Sequence, residues 1–282
     1  MLKIGQYNKL EVVKIKEEIG AFVDGGAAGE ILLPIRYVPK NLMVGQELEV
    51  FIYCDSEDRL IATTEHPKAT VGEIAFMKCV GVSKFGSFMD WGLMKDLLVP
   101  LREQFVPIEE QKSHIVRVIF DEKTDRLIGT TRLNRYIEEI DTDGKYTKGE
   151  EVQIMIAQKT PLGYRAIVNG TTWGVLYEND IYQKISVGQS FRGYILRVRE
   201  DWRLDLTLST SGYDNKIGDA TTMILHVLTQ KDGFIPVNDN SPPEDIYALL
   251  KMSKKTFKQA VGALYREKKI QIQDKGIKLI DL

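Results

Sequence analysis

The feature that most constrains the fold of this chain is an internal repeat. Three segments share one order of apolar runs, glycine, proline and Asp-Arg signals. The first two copies are offset by 66 or 67 residues and the second and third by 77, whichever anchor is used. One shared offset at two separated anchors indicates three copies of one module. The anchors are the glycines Gly20, Gly86 and Gly163 and the arginines Arg59, Arg126 and Arg203.

Each copy is an all-β unit by its pattern. Short runs rich in Val, Ile and Phe alternate with turn signals at roughly ten-residue spacing. A five-stranded Greek-key barrel of the OB type closes most of its edges at about 70 residues. The sequence therefore predicts a mainly β fold of three tandem OB-fold barrels, at 1–67, 68–143 and 144–211.

The segment 212–282 changes to helical spacing. We expect a first helix with Asp219 as its N-cap and a second that follows a cap at Ser241. Ser253 is expected to cap a third helix, and a hairpin turn is expected at 274–276. Three helices followed by a hairpin are the order of a winged helix. The third helix is expected to bury an apolar face made of Phe257, Val261, Leu264 and Tyr265.

The stretch from 85 to 91, "FGSFMDW", predicts a binding face in the second copy. Side chains alternate along a strand, and burying Asp90 without a partner would be costly, so Met89 and Trp91 are expected inside. Phe88 then faces outward, with Phe85 across the bend, as in platforms that stack single-stranded bases. The alternative is that these rings pack against a neighbouring domain or complete the core.

The ends of the third strand-like runs add basic residues near this face. "LLPIR" and "LVPLR" place Arg36 and Arg102 two residues beyond Pro34 and Pro100. Proline ends a strand at a barrel rim because it cannot donate to the ladder. Each arginine suits phosphate contact or stacking on a base, although a solvated rim charge is the alternative.

These motifs resemble the S1 domain, an OB-fold RNA-binding repeat. The whole chain resembles the conserved virulence factor B family of bacterial RNA-binding regulators. The resemblance implies single-stranded RNA as partner and a role in post-transcriptional gene regulation, without a cofactor. The third copy departs from the motif because it has Leu162 and Arg165 where the second copy has aromatic rings. The candidate RNA-binding residues of the barrels are Phe22, Arg36, Lys84, Phe85, Phe88 and Arg102.

The net charge of −2 conceals a basic end. Between Met252 and Lys278, eight Lys or Arg residues face only Glu267 and Asp274. Attraction to the phosphates of RNA or DNA is the functional interpretation. The alternative is a non-catalytic scaffold that binds a protein partner through the OB and winged-helix surfaces. The candidate residues of this basic end are Lys254, Lys255, Lys258, Arg266, Lys268, Lys269, Lys275 and Lys278.

Other function classes find little support in the sequence. The three histidines fall in three different modules, and no Gly-rich phosphate loop follows a strand, so we expect no catalysis. Cys54 and Cys79 lack a C-x-x-C partner, which favours free thiols over a disulfide. Charged residues interrupt the N-terminal stretch before a signal-peptide core could form, and no long apolar run occurs. We therefore expect a cytoplasmic protein without a membrane segment. The sequence does not indicate its oligomeric state.

Overall fold

The structure is a computed structural model that describes residues 2–178, 181, 184–208, 213–250 and 252–280, with the backbone alone for 213–219. The chain divides into two compact units, Met1–Glu138 and Glu139–Leu282. The first contains two five-stranded β-domains, and the second contains one β-domain and a helical domain. Three tandem OB-type barrels followed by a winged helix, the predicted fold class, are confirmed. The exact domain bounds remain a prediction, and the boundary between 211 and 212 lies outside the described residues.

The first barrel is closed, with the strand order β1-β2-β3-β5-β4. All neighbours are antiparallel except β3 and β5, which close the barrel as a parallel pair. Its interior is filled by the alternate side chains that face inward, among them Val12, Leu33 and Ile52, all fully buried. The strands are β1 (Tyr7–Lys16), β2 (Gly20–Asp24), β3 (Glu30–Pro34), β4 (Glu47–Cys54) and β5 (Leu60–Thr63).

The second barrel has the same strand sequence, β10-β9-β6-β7-β8, but within the described range its sheet is not closed by a ladder between β8 and β10, which lie side by side at its edges. Met89 and Trp91 are buried, as predicted, while Asp90 is only half-buried and bonds Lys68 at 2.7 Å. That hydrogen bond is the main reason why the pKa of Asp90 is lowered. The strands are β6 (Ile74–Ser83), β7 (Gly86–Asp90), β8 (Leu97–Pro100), β9 (Ser113–Asp121) and β10 (Arg126–Thr130).

The third barrel is closed like the first, in the order β11-β12-β13-β15-β14. Its parallel pair is β13 with β15, the counterpart of β3 with β5. Ile154, Ile156 and Leu176 are among its fully buried residues. The strands are β11 (Glu151–Thr160), β12 (Gly163–Val168), β13 (Thr172–Tyr177), β14 (Ser190–Val198) and β15 (Leu204–Thr207).

The glycine anchor of the repeat begins the second strand of each barrel and permits a close backbone approach. Gly20, Gly86 and Gly163 have φ of 139°, 152° and 139°. A Cβ atom would lie 2.1, 2.2 and 2.3 Å from a carbonyl oxygen of the next strand. Only glycine avoids both penalties, which explains why the repeat keeps this residue. The Asp-Arg signals are turns as predicted, since Asp58 and Asp125 have φ of 61° and 51°.

The winged helix is formed by three helices and a small sheet of order β16-β18-β17. Two predicted N-caps are wrong. The first helix begins six residues before Asp219, and the second begins at Pro243, whereas the Ser241 hydroxyl accepts from Asn238 at 2.9 Å. The Ser253 cap is confirmed by its bond from the Thr256 amide at 3.1 Å. The elements are α1 (Tyr213–Gln230), β16 (Phe234–Ile235), α2 (Pro243–Leu250), α3 (Lys254–Arg266), β17 (Ile270–Gln273) and β18 (Gly276–Leu279).

The apolar face of α3 is largely as predicted. Phe257, Val261 and Leu264 are buried in the core of the winged helix. Tyr265 was wrongly assigned to that core, because it is 56% exposed. The hairpin of β17 and β18 turns between Gln273 and Gly276, as expected. Within the described residues, no helix is long and apolar enough to cross a membrane.

The first two barrels pack against each other through aromatic rings. Trp91 of the second barrel makes edge contacts with Phe51 and Tyr53 of the first, at ring-centroid distances of 5.8 and 6.3 Å. Burial, with a smaller contribution from Tyr37, raises the pKa of Tyr53 to about 12. Of these rings, the sequence predicts a position only for Trp91, in the interior of its own barrel. Its contacts with Phe51 and Tyr53 join two barrels within one unit.

Both cysteines are free thiols, as predicted. Cys79 is buried inside the second barrel, whereas Cys54 is half-buried at the end of β4. Burial is the main cause that raises the pKa of the Cys54 thiol. A raised pKa keeps this sulfur in its neutral form and lowers its reactivity.

Candidate nucleic-acid interface

A row of three side chains crosses the outer face of each barrel, over its second, third and fifth strands; we call it the outer row. In the first barrel, Phe22 lies opposite Leu32, which lies opposite Ile61. All three are half-buried. In the second barrel, Phe88 lies opposite Leu98, and the repeat offset of 67 adds Ile128. Phe88 and Leu98 are half-buried and Ile128 is buried, so the partly exposed apolar surface of the second barrel is formed by Phe88 and Leu98.

The two predicted aromatic residues of the second barrel differ in exposure. Phe85 is 67% exposed on the turn before β7, and its amide donates to the Ser83 hydroxyl at 3.2 Å. Phe88 is half-buried on β7. No ring contact joins the two within the described part of the chain. The Lys84 ammonium lies 5.1 Å from the Phe85 ring centroid. An exposed ring with a cation beside it has the composition of a base-stacking surface.

Phe88 has a feature that sequence reasoning did not use. Its partner across β6 is Gly81, which has no side chain to cover the ring. In the first barrel the matching partner of Phe22 is Lys14. The ammonium groups of Lys14 and Lys16 lie 5.9 and 5.7 Å from the Phe22 ring centroid. The ring of the second barrel is therefore left clearer than the ring of the first.

The two rim arginines have different surroundings. Arg36 follows β3, and its Nη1 atom lies 3.6 Å from the Met94 sulfur of the second barrel. Arg102 forms an ion pair with Asp121 at 2.6 Å. Arg102 is 55% exposed in its side chain. Both guanidinium groups keep donors toward solvent, so each can contact a phosphate without leaving its place.

The third barrel has two charged residues in its outer row. Arg165, Val175 and Asp205 lie opposite one another on β12, β13 and β15. Arg165 lies 3.9 Å from the Trp173 ring centroid and pairs with Glu139. Its stacking and pairing capacity is used inside the protein. The prediction that this copy departs from the aromatic motif is thus reflected in its contacts.

Asp205 is the buried centre of an ion-pair cluster on the third barrel. It is 1% exposed and accepts from Arg197 and Arg199 at 2.6 and 2.5 Å. Burial by itself raises the pKa of Asp205, but the hydrogen bonds from Arg199 and Arg197 outweigh it and hold the pKa below its usual value. This part of the outer row is occupied by the protein's own charges.

The basic end of the chain spreads over α3 and the hairpin. Lys255, Lys258 and Arg266 lie on the exposed face of α3, opposite the buried face that contains Phe257. The predicted residues Lys268, Lys269, Lys275 and Lys278 are also exposed. Lys254 is half-buried and donates to the Ser241 carbonyl at 2.9 Å. Lys269 pairs with Glu267 at 2.8 Å. Most of the other cationic side chains of this end are exposed to solvent.

Two lysines of α3 stand where they weaken the helix. Lys254 and Lys255 occupy its first turn, which contains no acidic residue. The N-terminus of a helix carries partial positive charge, so cations there cost stability instead of adding it. An external anion at this position would relieve the repulsion. Lys254 is partly compensated by its bond to the Ser241 carbonyl, whereas no hydrogen bond or ion pair of Lys255 is found among the described residues.

These features define the class of protein, which has tandem OB barrels followed by a winged helix. The family model of the S1 domain matches residues 4–65, which contain the five strands of the first barrel. The family model of the CvfB-like winged helix domain matches residues 222–279. Both are classes of nucleic-acid-binding domain, and both are usually non-catalytic.

Three known proteins are similar to this chain over most of its length. An uncharacterized protein, YitL, from Bacillus subtilis is 29% identical over 90% of this chain and 86% of its own. Conserved virulence factor B from Staphylococcus saprophyticus is 26% identical over 85% of this chain and 81% of its own. A solved multidomain protein with nucleic acid binding domains from Streptococcus pneumoniae is 24% identical over 98% of both chains, with a TM-score of 0.43. The resemblance of this chain to the conserved virulence factor B family is confirmed.

Proposed function

We propose that this protein binds single-stranded RNA in the cytoplasm and acts in post-transcriptional gene regulation, without catalysis. The observation that carries the proposal is the aromatic surface of the second barrel. Phe85 is mostly exposed beside Lys84, and Phe88 faces Gly81 instead of a covering side chain. Stacking on exposed rings suits unpaired bases, which a duplex does not offer.

The basic face of α3 supports a second contact in the same complex. Lys254, Lys255 and Lys258 crowd the first half of the helix, where an anion is favoured and a cation is not. A phosphate backbone supplies that anion. DNA would satisfy the same charges, so the choice of RNA rests on the barrels.

The second candidate function is a non-catalytic scaffold that binds a protein. One observation favours it: a mainly apolar groove between α2 and α3, lined by Pro243, Tyr247 and Met252. The lysines beside this groove would then orient a partner with an acidic rim. The two candidate functions require the same fold and differ in whether the basic face of α3 binds RNA or a protein.

Titration with labelled oligonucleotides separates the two. Oligo-U, oligo-A and duplex DNA are titrated into the full chain by fluorescence polarisation over a series of salt concentrations. We expect binding to the single strands with a log–log slope of about −0.7 per phosphate contacted. A protein without affinity for any of these oligonucleotides would contradict the proposal and favour the scaffold.

A charge variant tests whether the winged helix contacts RNA. Changing Lys254, Lys255 and Lys258 together to Gln makes the salt slope shallower if α3 contacts phosphates. The matched control changes three exposed lysines elsewhere, Lys40, Lys123 and Lys148, to Gln. A slope that is the same in both variants would remove α3 from the RNA contact and leave it to a protein partner.

A further inference from the structure

A pocket with a volume of about 460 Å³ lies at the junction of the first two barrels. This volume falls within the range of sites that hold small organic groups. Tyr53 and Cys54 contribute the wall from the first barrel, and Phe88, Trp91, Asp96 and Leu98 contribute the wall from the second. The pocket adjoins the outer row of the second barrel, because Phe88 and Leu98 belong to both.

The deeper part of the pocket has an apolar and aromatic wall. The Trp91 indole nitrogen donates to the Lys95 carbonyl at 2.6 Å, so its polar atom already has a partner. The Cys54 thiol has its pKa raised mainly by burial and is neutral. Phe88 and Leu98 complete the wall. A flat, weakly polar group is the occupant that such a wall accommodates without loss of hydrogen bonds.

Cations from both barrels surround the mouth. Lys95 donates to the Asp55 carbonyl at 2.5 Å, and Arg126 pairs with Asp58. Arg36 does not line the pocket, but its Nη1 atom lies 3.6 Å from the sulfur of Met94, which does. These groups can contact the phosphates on either side of an inserted base.

One acceptor at the mouth has no partner. Asp96 is exposed at the pocket mouth, and among the described residues its carboxylate has no hydrogen bond or ion pair, in contrast to Asp58. Partial desolvation by the neighbouring pocket wall, followed by the charge of Asp90, raises the pKa of this exposed carboxylate. Such a carboxylate is stabilised when it accepts hydrogen bonds from a ligand.

We infer that the junction pocket takes one guanine base of a bound RNA strand, with the base edge held by Asp96. This inference rests on the proposed function and adds a base preference to it. Guanine presents two adjacent donors on its Watson–Crick edge, N1–H and the N2 amino group, which together match one carboxylate. Single-stranded bases are commonly recognised on that edge while they stack on aromatic side chains.

The other three bases fit the same acceptor less well. Uracil offers a single donor, N3–H, between two carbonyl oxygens that would face the carboxylate. Adenine and cytosine each offer one amino group beside a ring nitrogen acceptor. Each would leave one carboxylate oxygen without a donor or set it against a lone pair, which costs affinity.

The test uses U12 and three oligonucleotides with one central U replaced by G, A or C, in fluorescence polarisation with the full chain. The measured quantity is the affinity for each substituted strand relative to U12. We expect the G-containing strand to bind about tenfold more tightly than U12, since a bidentate pair supplies discrimination of this order. The A- and C-containing strands should stay within about twofold of U12.

Two variants locate the preference. Asp96→Asn should reduce the G-to-U12 ratio to within about twofold of unity. Asp125→Asn removes the same charge from the same barrel outside the pocket wall, at a left-handed turn position that asparagine tolerates, and should keep the wild-type ratio. Thermal melting checks that both variants fold.

Each outcome bears on a defined claim. Binding without a preference for G, or a preference that survives Asp96→Asn, would overturn the pocket inference and leave the proposed function standing. An absence of binding to all four strands would overturn both. If both variants lose the preference for G, the preference depends on the general charge of the barrel, and this result would also overturn the pocket inference.

Discussion

The second and third barrels have the same strand order and differ in the outer row of side chains. The second places Phe88, Leu98 and Ile128 there, and the third places Arg165, Val175 and Asp205. The apolar row leaves a ring available, whereas the charged row is satisfied by Trp173, Glu139 and two arginines. The OB fold therefore sets where the outer row lies, and the residues of that row decide whether an aromatic ring stays accessible.

The largest expected effect tests the shared backbone. Gly86→Ala and Gly163→Ala should each lower the free energy of unfolding of their unit by about 3 kcal/mol, since both force alanine into a glycine conformation against a carbonyl oxygen. Chemical denaturation of the full chain measures both. Gly81→Ala is the matched control, because a Cβ there meets only Phe88, at 4.0 Å. A large loss in only one of the two barrels would break the equivalence.

The next effect tests the charged row of the third barrel. Asp205→Asn should lower the free energy of unfolding by about 2 kcal/mol at neutral pH, because it weakens charged hydrogen bonds to Arg197 and Arg199. A lowered pKa means that the wild-type carboxylate stabilises the fold above its unfolded pKa of about 3.9. That contribution disappears as the pH falls through the lower folded pKa.

Thermal melting between neutral and acid pH checks this expectation. The difference between wild type and Asp205→Asn should be full at neutral pH and shrink in acid. Asp143→Asn, which removes an exposed carboxylate of the same unit, serves as the control. A constant difference at all pH values would mean that Asp205 acts through packing alone.

Much of the backbone could be predicted from local signals in the sequence. The repeat offset identified Gly20, Gly86 and Gly163, and each occupies the same conformation at the start of a second strand. Pro34 and Pro100 end β3 and β8 as expected. These outcomes depend on steric rules for single residues, which the sequence states directly.

The contacts between barrels could not be predicted in the same way. Period-two alternation indicates that Trp91 is buried but not that it meets Phe51 of another barrel. The junction pocket combines Tyr53 with Asp96, 43 positions apart, and no periodicity relates them. The false cap at Asp219 has a local cause: a residue suited to an N-cap was taken as a start, although helical structure begins earlier.

The third effect tests which outer row binds RNA. Phe88→Ala and Phe85→Ala should each lower RNA affinity by about 1–3 kcal/mol per stacked base, or roughly tenfold for 1.4 kcal/mol. Phe22→Ala should cost less, because Ile19 stands where the second ring would be. Arg165→Ala should act mainly through charge. Fluorescence polarisation measures affinity, and thermal melting separates it from stability. Phenylalanine variants that lose stability but keep their affinity would make the ring pair a packing element.

The smallest effect comes from covering a ring that the structure leaves clear. Gly81→Lys places a side chain opposite Phe88, as Lys14 stands opposite Phe22 in the first barrel. Gly81 follows a shift in the strand register, as Lys14 does in the first barrel, and a Cβ there meets only Phe88, at 4.0 Å, so the variant should fold as stably as wild type. The added cation attracts phosphate, while its stem competes with a base for the ring, so we expect a net loss of about threefold in affinity for oligo-U. The net loss of affinity should grow with salt concentration, because salt screens the attraction of the lysine for phosphate but not the competition of its stem for the ring. Gly81→Leu lacks the charge and should lose more affinity than Gly81→Lys at low salt. If neither variant lowers affinity at any salt concentration, RNA does not stack on Phe88, and the open outer row of the second barrel has another use.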